Sequence, residues 1–551
     1  MLFDFDKQEE QRPGVVRSGE LERILALPRR VLDLEKVPDV TPLFRRDGGS
    51  MCFWPIQSAA LVEAAEANGL FAAIAVGCGK SLISYALPEA MNSKCAVLLV
   101  PANLKNKASR EIPEYSKHFR LPVTSPGRVH VVAMTTLSSA KHADILDRLK
   151  PDLIIVDEMH MLAHPNAART KRFLRYFRQN PHCRFAGMSG SITKKSLIDY
   201  AHLLELALRK NSPVPFGYHE RLDWAGALDV KPREPRKPGA LLRFCKGDET
   251  VRQGFRRRLV ETLGVVATSE NKLDTGLVIK TPINIAVPPE VEDALKKARK
   301  TWSVGDDEFD SVLALHRVLR QLACGFYYAW VPPVDPEWVE ARKRWHREVR
   351  SYLTHSSRAG MDSPFLLAMA AAKGTWPAVT WPEWKKVKHI KPPEVEAIWI
   401  SDFLVRAAVK WGQNKTGAII WYSHVALGEA IAKAGGWPLY DGGTDAGMAT
   451  PGKQPVIVCS MKAQGTGKNL QGSAEVPGYW QNLLTDIPGG LEFEQVIGRT
   501  HREGQPADDV EVSLFQHTQE LRAAWSGVIE DSKYVQETTG NTYRILTATI
   551  E

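Results

Sequence analysis

The chain predicts an α/β protein of two parallel-sheet lobes with a helical insertion between them. Short apolar runs alternate with helical patterns from about residue 50 to 215, and the same alternation returns from about 396. At 551 residues the chain also exceeds what one core can hold. Short apolar strands separated by helices imply a parallel sheet covered on both faces.

Residues 1–48 are charged and irregular, with a helix expected around Glu20 to Lys36, interrupted at Pro28, and they form an N-terminal extension. The first lobe spans 49–245, with strands expected at Gly69–Val76, Ala96–Pro101, Val129–Met134, Leu153–Val156 and Phe185–Met188. Within it, Pro232, Pro235 and Pro238 recur at every third position, which rules out a helix and predicts an exposed, extended linker over 231–238. Residues 246–395 form the insertion and linker, with helices expected at Val291–Trp302, Phe309–Tyr328 and Pro336–Leu353. The second lobe spans 396–551, with strands expected at Ala418–Tyr422, Pro438–Tyr440, Val456–Cys459 and Val510–Phe515. No internal repeat recurs at a fixed short period.

Composition narrows the class. Hydrophobic residues make up 44% and charged residues 25%, as in ordinary globular proteins. Lys and Arg exceed Asp and Glu by 72 to 63, a net +9 that suits a polyanionic partner but is mild for this length. The seven scattered cysteines lack zinc-site spacing, and Cys78 lies inside a glycine turn where a disulfide would obstruct, so a reducing compartment is expected. The opening residues lack the basic-then-apolar order of a signal peptide, and no apolar run approaches the ~20 residues of a membrane span. A soluble cytoplasmic protein without a membrane partner is predicted, in the host cytoplasm if a phage encodes it.

The chemistry sits at strand ends. Gly77-Cys78-Gly79-Lys80-Ser81 follows an apolar run and opens a helical pattern. Backbone N–H groups at such a turn point at an anion, and the helix N-terminus favours negative charge. Lys80 would neutralise the β and γ phosphates of ATP, and the Ser81 hydroxyl would hold Mg2+. Ile74 stands where the usual loop pattern has its first glycine. The run Leu153-Ile154-Ile155-Val156-Asp157-Glu158 delivers two carboxylates at the end of a strand, where α/β sheets bind ligands. Asp157 suits Mg2+, and Glu158 suits orienting or deprotonating the attacking water. Far downstream, Arg499 and Arg502 are spaced to share one helix face and would act as arginine fingers on a γ-phosphate held by the other lobe. Gln495, Gly498, Gly504 and Gln505 flank them.

These residues give the chain a specific likeness. It resembles the superfamily 2 helicase-type ATPases, and among them the Snf/Rad-type DNA translocases. Ser460–Leu470 resembles that family's fifth motif in length, glycine placement and its closing Asn469-Leu470, and Gln495–Gln505 resembles the sixth. Trp54-Pro55-Ile56-Gln57 is similar to the adenine-reading Q motif, and Ser189-Gly190-Ser191 to motif III, which couples hydrolysis to nucleic-acid grip. Val100–Leu104 and Thr135–Leu137 occupy the places of the strand-contacting motifs. The likeness runs from about 54 to 515, with Met159, Ile192 and Gln464 as departures from its usual alanine, proline and glycine.

The resemblance implies two RecA-like lobes that hold ATP and Mg2+ in the cleft between them and move along duplex DNA. It implies work beside replication, recombination or repair proteins, and the compact size suggests a phage or bacterial member. It carries Gln57 and Gly467 to the nucleotide, Gln495 to the catalytic set, and Lys462 and Asn469 to nucleic acid. Lys194, Lys195, Arg256 and Arg257 are further phosphate-contact candidates, from the lysine pair after motif III and the densest basic cluster. Eight of the fifteen tryptophans fall between 300 and 400; packing of a small helical insert is preferred over base stacking, with Trp376, Trp381 and Trp384 as the best exceptions. A strand-separating helicase for DNA or RNA, an ATP-gated binding module, and the motor of a restriction or repair assembly are the alternatives.

Overall fold

The computed structural model describes residues 12–75, 77–190, 195–268, 273–305, 307–309, 311–331, 334–356, 358–473 and 475–551. Two compact units emerge: Met1–Asn271 with Ser357–Ser363 and Asp531–Tyr543, and Lys272–Ser356 with Pro364–Glu530 and Arg544–Glu551.

In the first unit, β1 (Leu70–Ala73), β2 (Ala96–Val100), β3 (Val129–Ala133), β4 (Leu153–Asp157), β5 (Arg184–Ser189) and β6 (Val265–Ala267) form one parallel sheet in the order β3-β2-β4-β5-β1-β6. Alternate side chains feed two cores. Phe71, Val97, Leu99, Ile154, Val156 and Phe185 pack on one face, and Leu70, Ala72, Leu98, Ile155, Ala186 and Met188 on the other. Burial on both faces explains why these strands read as continuous apolar runs. The register pairs Asp157 with Met188 and Ala73 with Ser189, so three neighbouring strands end at one edge.

In the second unit, β7 (Gly276–Ile279) joins a parallel sheet with five strands from the C-terminal lobe and a short terminal one. Two antiparallel pairs come first along the chain: the hairpin of β8 (Ser303–Val304) with β9 (Asp307–Glu308), and β10 (Phe326–Trp330) with the distant β11 (Val395–Trp399). Then follow β12 (Ala418–Tyr422), β13 (Leu439–Tyr440), β14 (Val456–Ser460), β15 (Gln481–Leu484), β16 (Asp509–Leu514) and β17 (Thr549–Ile550), giving the order β13-β14-β12-β15-β16-β7-β17. The fold class is the predicted one: α/β, with two all-parallel sheets flanked by helices.

Several expectations need correction. The first sheet does not stop at residue 245, because β6 pairs with β1, and β7 already belongs to the second sheet. The helix expected to run to Tyr328 ends at Ala323. Gly325, at φ +90°, turns the chain, and the aromatic run Phe326–Trp330 pairs antiparallel with β11. Residues 231–238 are non-helical as expected but strap the first unit: Val15 donates to the Lys237 carbonyl at 3.0 Å, and Arg236 donates to that of Gly226 at 2.9 Å. Strand β15 was not anticipated because half of it is polar; Asn482 is buried by bonding Trp421 and Thr500. Six of the eight tryptophans between 300 and 400 pack on one another, while Trp302 and Trp399 are exposed. Trp345 stacks against Trp376 and Trp381, and Trp338 lies against Trp330 and Trp384, so the three proposed base-stackers pack internally.

One buried charge cluster sets a stability prediction. Asp362, fully enclosed, accepts from Arg172 at 2.7 Å and pairs with Arg175. Burial pushes its carboxyl up, but hydrogen bonds from the two arginines outweigh this and hold it below the ordinary range. Removing one partner of such a cluster strands the other charges, so Asp362→Ala is expected to cost about 3–5 kcal/mol. A denaturation midpoint corresponding to a loss under ~1 kcal/mol would show that the arginines find other partners.

Candidate functional site

The turn after β1 meets the helix Lys80–Ala90 through two glycines in left-handed conformations, Gly77 at φ +103° and Gly79 at φ +68°. A side chain at Gly79 would run into the Gln57 amide, so this position demands glycine twice over. Gln57 is buried. Its side chain accepts from the Trp54 N–H at 2.9 Å, capping the helix Pro55–Ala67, and donates toward the Gly79 carbonyl at 3.4 Å. Gln57 thus ties helix to turn through its amide. The Lys80 ammonium donates to the carbonyls of Ile74 and Ala75, both at 3.0 Å, which holds it over the sheet edge. Thr268 braces the same turn by accepting from the Ala75 N–H at 3.0 Å. Cys78 and Ser81 lie beside it, both half-buried.

Asp157 ends β4 and Glu158 follows it at φ +61°, a left-handed conformation that costs a non-glycine residue of order 1–3 kcal/mol. That turn folds the Glu158 side chain back to Ser189 at the end of β5. The Ser189 hydroxyl donates to Glu158 Oε2 at 3.1 Å, and His160 Nδ1 sits 2.9 Å from Ser189 Oγ and 3.3 Å from the same carboxylate oxygen. His160 is a member of this site that the sequence reading passed over, although its adjacency to the acidic pair was the available signal.

The two carboxyls diverge. Burial and the neighbouring Glu158 charge push Asp157 up, with Lys80 opposing. Burial also pushes Glu158 up, but the hydrogen bond with His160 and the Lys80 charge bring it below the usual range. Asp157 keeps a buried carboxylate oxygen, Oδ1, with no hydrogen-bond partner. A hard, unsatisfied oxygen beside the Ser81 turn fits a Mg2+ ligand set.

In the second unit, the helix Gly490–Ile497 ends before the arginines, so Arg499 and Arg502 lie in the following turns rather than on one helix face. The C-cap at Gly498 closes the helix and releases the chain into those turns. Arg499 is buried, donating to the Gln495 carbonyl at 2.8 Å and the Lys468 carbonyl at 3.1 Å, which makes it a brace between the two downstream motifs. Arg502 reaches the Asn469 side-chain oxygen. Between them, His501 Nε2 donates to the Thr275 carbonyl at 2.9 Å, and burial drives its pKa down to about 4, so the ring is neutral. Arg544 pairs with Glu494 and donates to the His501 carbonyl at 3.0 Å, a support that no sequence spacing announced. Gly467 sits at φ +74° and Lys462 is exposed on the short helix Met461–Gln464.

The remaining phosphate-contact candidates divide. Lys194, with Ser191 and Ile192 of the motif III stretch, lies outside the described residues. Lys195 is exposed, 3.5 Å from Asp531. Arg256 donates to the Gln536 carbonyl at 3.1 Å. Arg257 is held by Glu249 at 3.0 Å and the Phe244 carbonyl at 2.6 Å, while Arg258 is buried outright. The densest basic run therefore serves the fold's own acceptors. Among the described residues, no helix is long and apolar enough to cross a membrane, and no His, Cys, Asp and Glu cluster could hold a metal ion by itself. No protein-family model matches the chain, and no curated protein matches it.

Proposed function

We propose that the protein is an ATP hydrolase that couples turnover to movement along duplex DNA. The observation that carries the first half is the shared edge of β1, β4 and β5. There the Lys80 turn, Asp157, Glu158 and Ser189 lie at the carboxyl ends of parallel strands, and Lys80's charge acts on both carboxyls.

In this reading the turn's N–H groups and Lys80 bind the phosphates, while Asp157 and Ser81 hold Mg2+, which supplies charge neutralisation on the β and γ oxygens. Glu158, kept ionised by His160, Ser189 and Lys80, orients the attacking water and accepts its proton. Its hydrogen bond to Ser189 links the water-activating group to the end of β5. Arg502 stabilises the charge that develops on transfer, and Arg499 keeps the Arg502 turn and the Lys468–Asn469 loop in one arrangement.

The second half, duplex DNA as the track, rests on the resemblance of the motifs and on the net positive charge. Measuring ATP turnover with blunt duplex, single-stranded DNA and RNA at several salt concentrations tests it. The largest stimulation is expected from blunt duplex, falling as salt rises. Stimulation by RNA alone would overturn the choice of track.

A further inference from the structure

The tryptophan-cored part of the insertion is rich in basic residues. Residues 336–355 and 364–391 hold ten Lys and Arg against four Asp and Glu. All four acids lie in or beside the helix Pro336–His355 and the helix Trp381–Val387. Glu348 accepts from the N–H groups of Val379 and Thr380 at 2.7 and 2.8 Å. Glu340 and Glu383 converge on a single arginine, Arg344, at 3.1 and 3.4 Å. Glu337 lies in the helix's first turn, where the backbone dipole favours it.

Arg342 and Lys388 lie over Trp338 and Trp381, and Lys391 pairs with Glu394; Lys343, Arg347, Arg350, Lys373, Lys385 and Lys386 are exposed and have no ion-pair partner among the described residues. Three of them follow a rule of spacing. Lys343, Arg347 and Arg350, at i, i+4 and i+7, form one stripe of the long helix, and Trp338, Ala341, Trp345 and Val349 form the buried stripe opposite. Trp345 against Trp381 at 5.2 Å fixes this helix to the one bearing Lys385 and Lys386. Rigid aromatic packing therefore holds a row of uncompensated cations toward solvent. Glu340, one turn before Lys343 on the same stripe, pairs with Arg344, so the stripe from Lys343 to Arg350 has no unengaged acid on it.

We infer that this face grips the sugar-phosphate backbone of a nucleic-acid duplex, as a contact separate from the two sheet lobes. A row of fixed cations on a helix suits a regular polyanion read by charge rather than by sequence. The inference rests on the duplex-motor reading for its choice of polyanion. The tryptophans, considered as base platforms from sequence, act here as the scaffold behind the contact.

The full chain carrying Lys343→Gln, Arg347→Gln and Arg350→Gln tests it against a control carrying Lys296→Gln, Lys297→Gln and Lys300→Gln, on the helix Pro289–Thr301. Binding of a short labelled duplex would be followed by anisotropy across a salt series, alongside polyglutamate and phosphatidylserine vesicles. Loss of three phosphate contacts is expected to reduce the slope of log affinity against log salt by about 2–3 and to weaken binding roughly tenfold or more, with turnover in the absence of DNA unchanged. The control should keep the wild-type slope. An unchanged slope in the insertion variant, an equal loss in the control, or a loss confined to polyglutamate or vesicles would each overturn the inference. Wild type that neither binds duplex nor is stimulated by it would sink the motor reading as well; wild type that does both, beside a variant that binds as tightly, sinks only this one.

Discussion

Lys80→Ala is expected to abolish ATP turnover, by a factor on the order of 10³ or more, while leaving the fold and duplex affinity in place. The reasoning is electrostatic. Lys80 is the cation whose charge acts on both Asp157 and Glu158, and its ammonium is held over the strand edge by two backbone carbonyls. Removing it takes away the charge facing the phosphates and leaves two buried carboxyls without their shared counter-charge. Nucleotide affinity should therefore fall together with turnover. Lys80→Arg is the informative companion: it restores charge but not the compact geometry that lets one ammonium contact both carbonyls. Purified Lys80→Ala protein turning over ATP at the wild-type rate would end the enzyme reading.

Arg502→Ala should behave differently. Nucleotide binding is expected to persist while kcat falls by roughly 10³ to 10⁵, the range seen when a transition-state arginine is lost. Arg502 is suited to the role because it engages the side chain of the exposed Asn469, a contact that can be exchanged. Arg499 is not suited to the same test. Buried and bonded to two carbonyls, it would take the Gln495 and Lys468 backbone with it, and its loss should appear first in the thermal midpoint. Binding of a fluorescent nucleotide and single-turnover hydrolysis, measured on Arg502→Ala and Arg499→Ala in parallel, separate the two roles. Weakened binding with normal turnover in Arg502→Ala would contradict the finger assignment.

The corrections share one physical origin. A run of arginines from 252 to 258 looks in sequence like a phosphate contact, because sequence shows charge and hides acceptors. Glu249, Gln536 and the Phe244 carbonyl come from elsewhere in the chain and satisfy Arg257 and Arg256. The insertion misleads in the opposite direction. Its lysines and arginines are spread among prolines and tryptophans, yet internal use of the acids leaves the cations unanswered. The spacing of Arg499 and Arg502 suggested a helix face, but Gly498 ends the helix one residue earlier.

What the sequence alone determined is the fold class and the placing of a lysine turn and an acidic pair at strand ends. Both depend on local pattern: an apolar run buried on two faces, a glycine turn before a lysine, two acids closing a strand. Only the tertiary structure decided the partners. That Glu158 takes a left-handed backbone and meets Ser189 and His160 follows from β4 and β5 lying side by side. That Trp338, Trp345 and Trp381 face inward while Lys343, Arg347, Arg350, Lys385 and Lys386 face outward follows from two helices closing on each other. Pairing between residues far apart in the chain leaves no periodic trace in it, and that is why strand ends can be read one residue at a time while the bonds between them cannot.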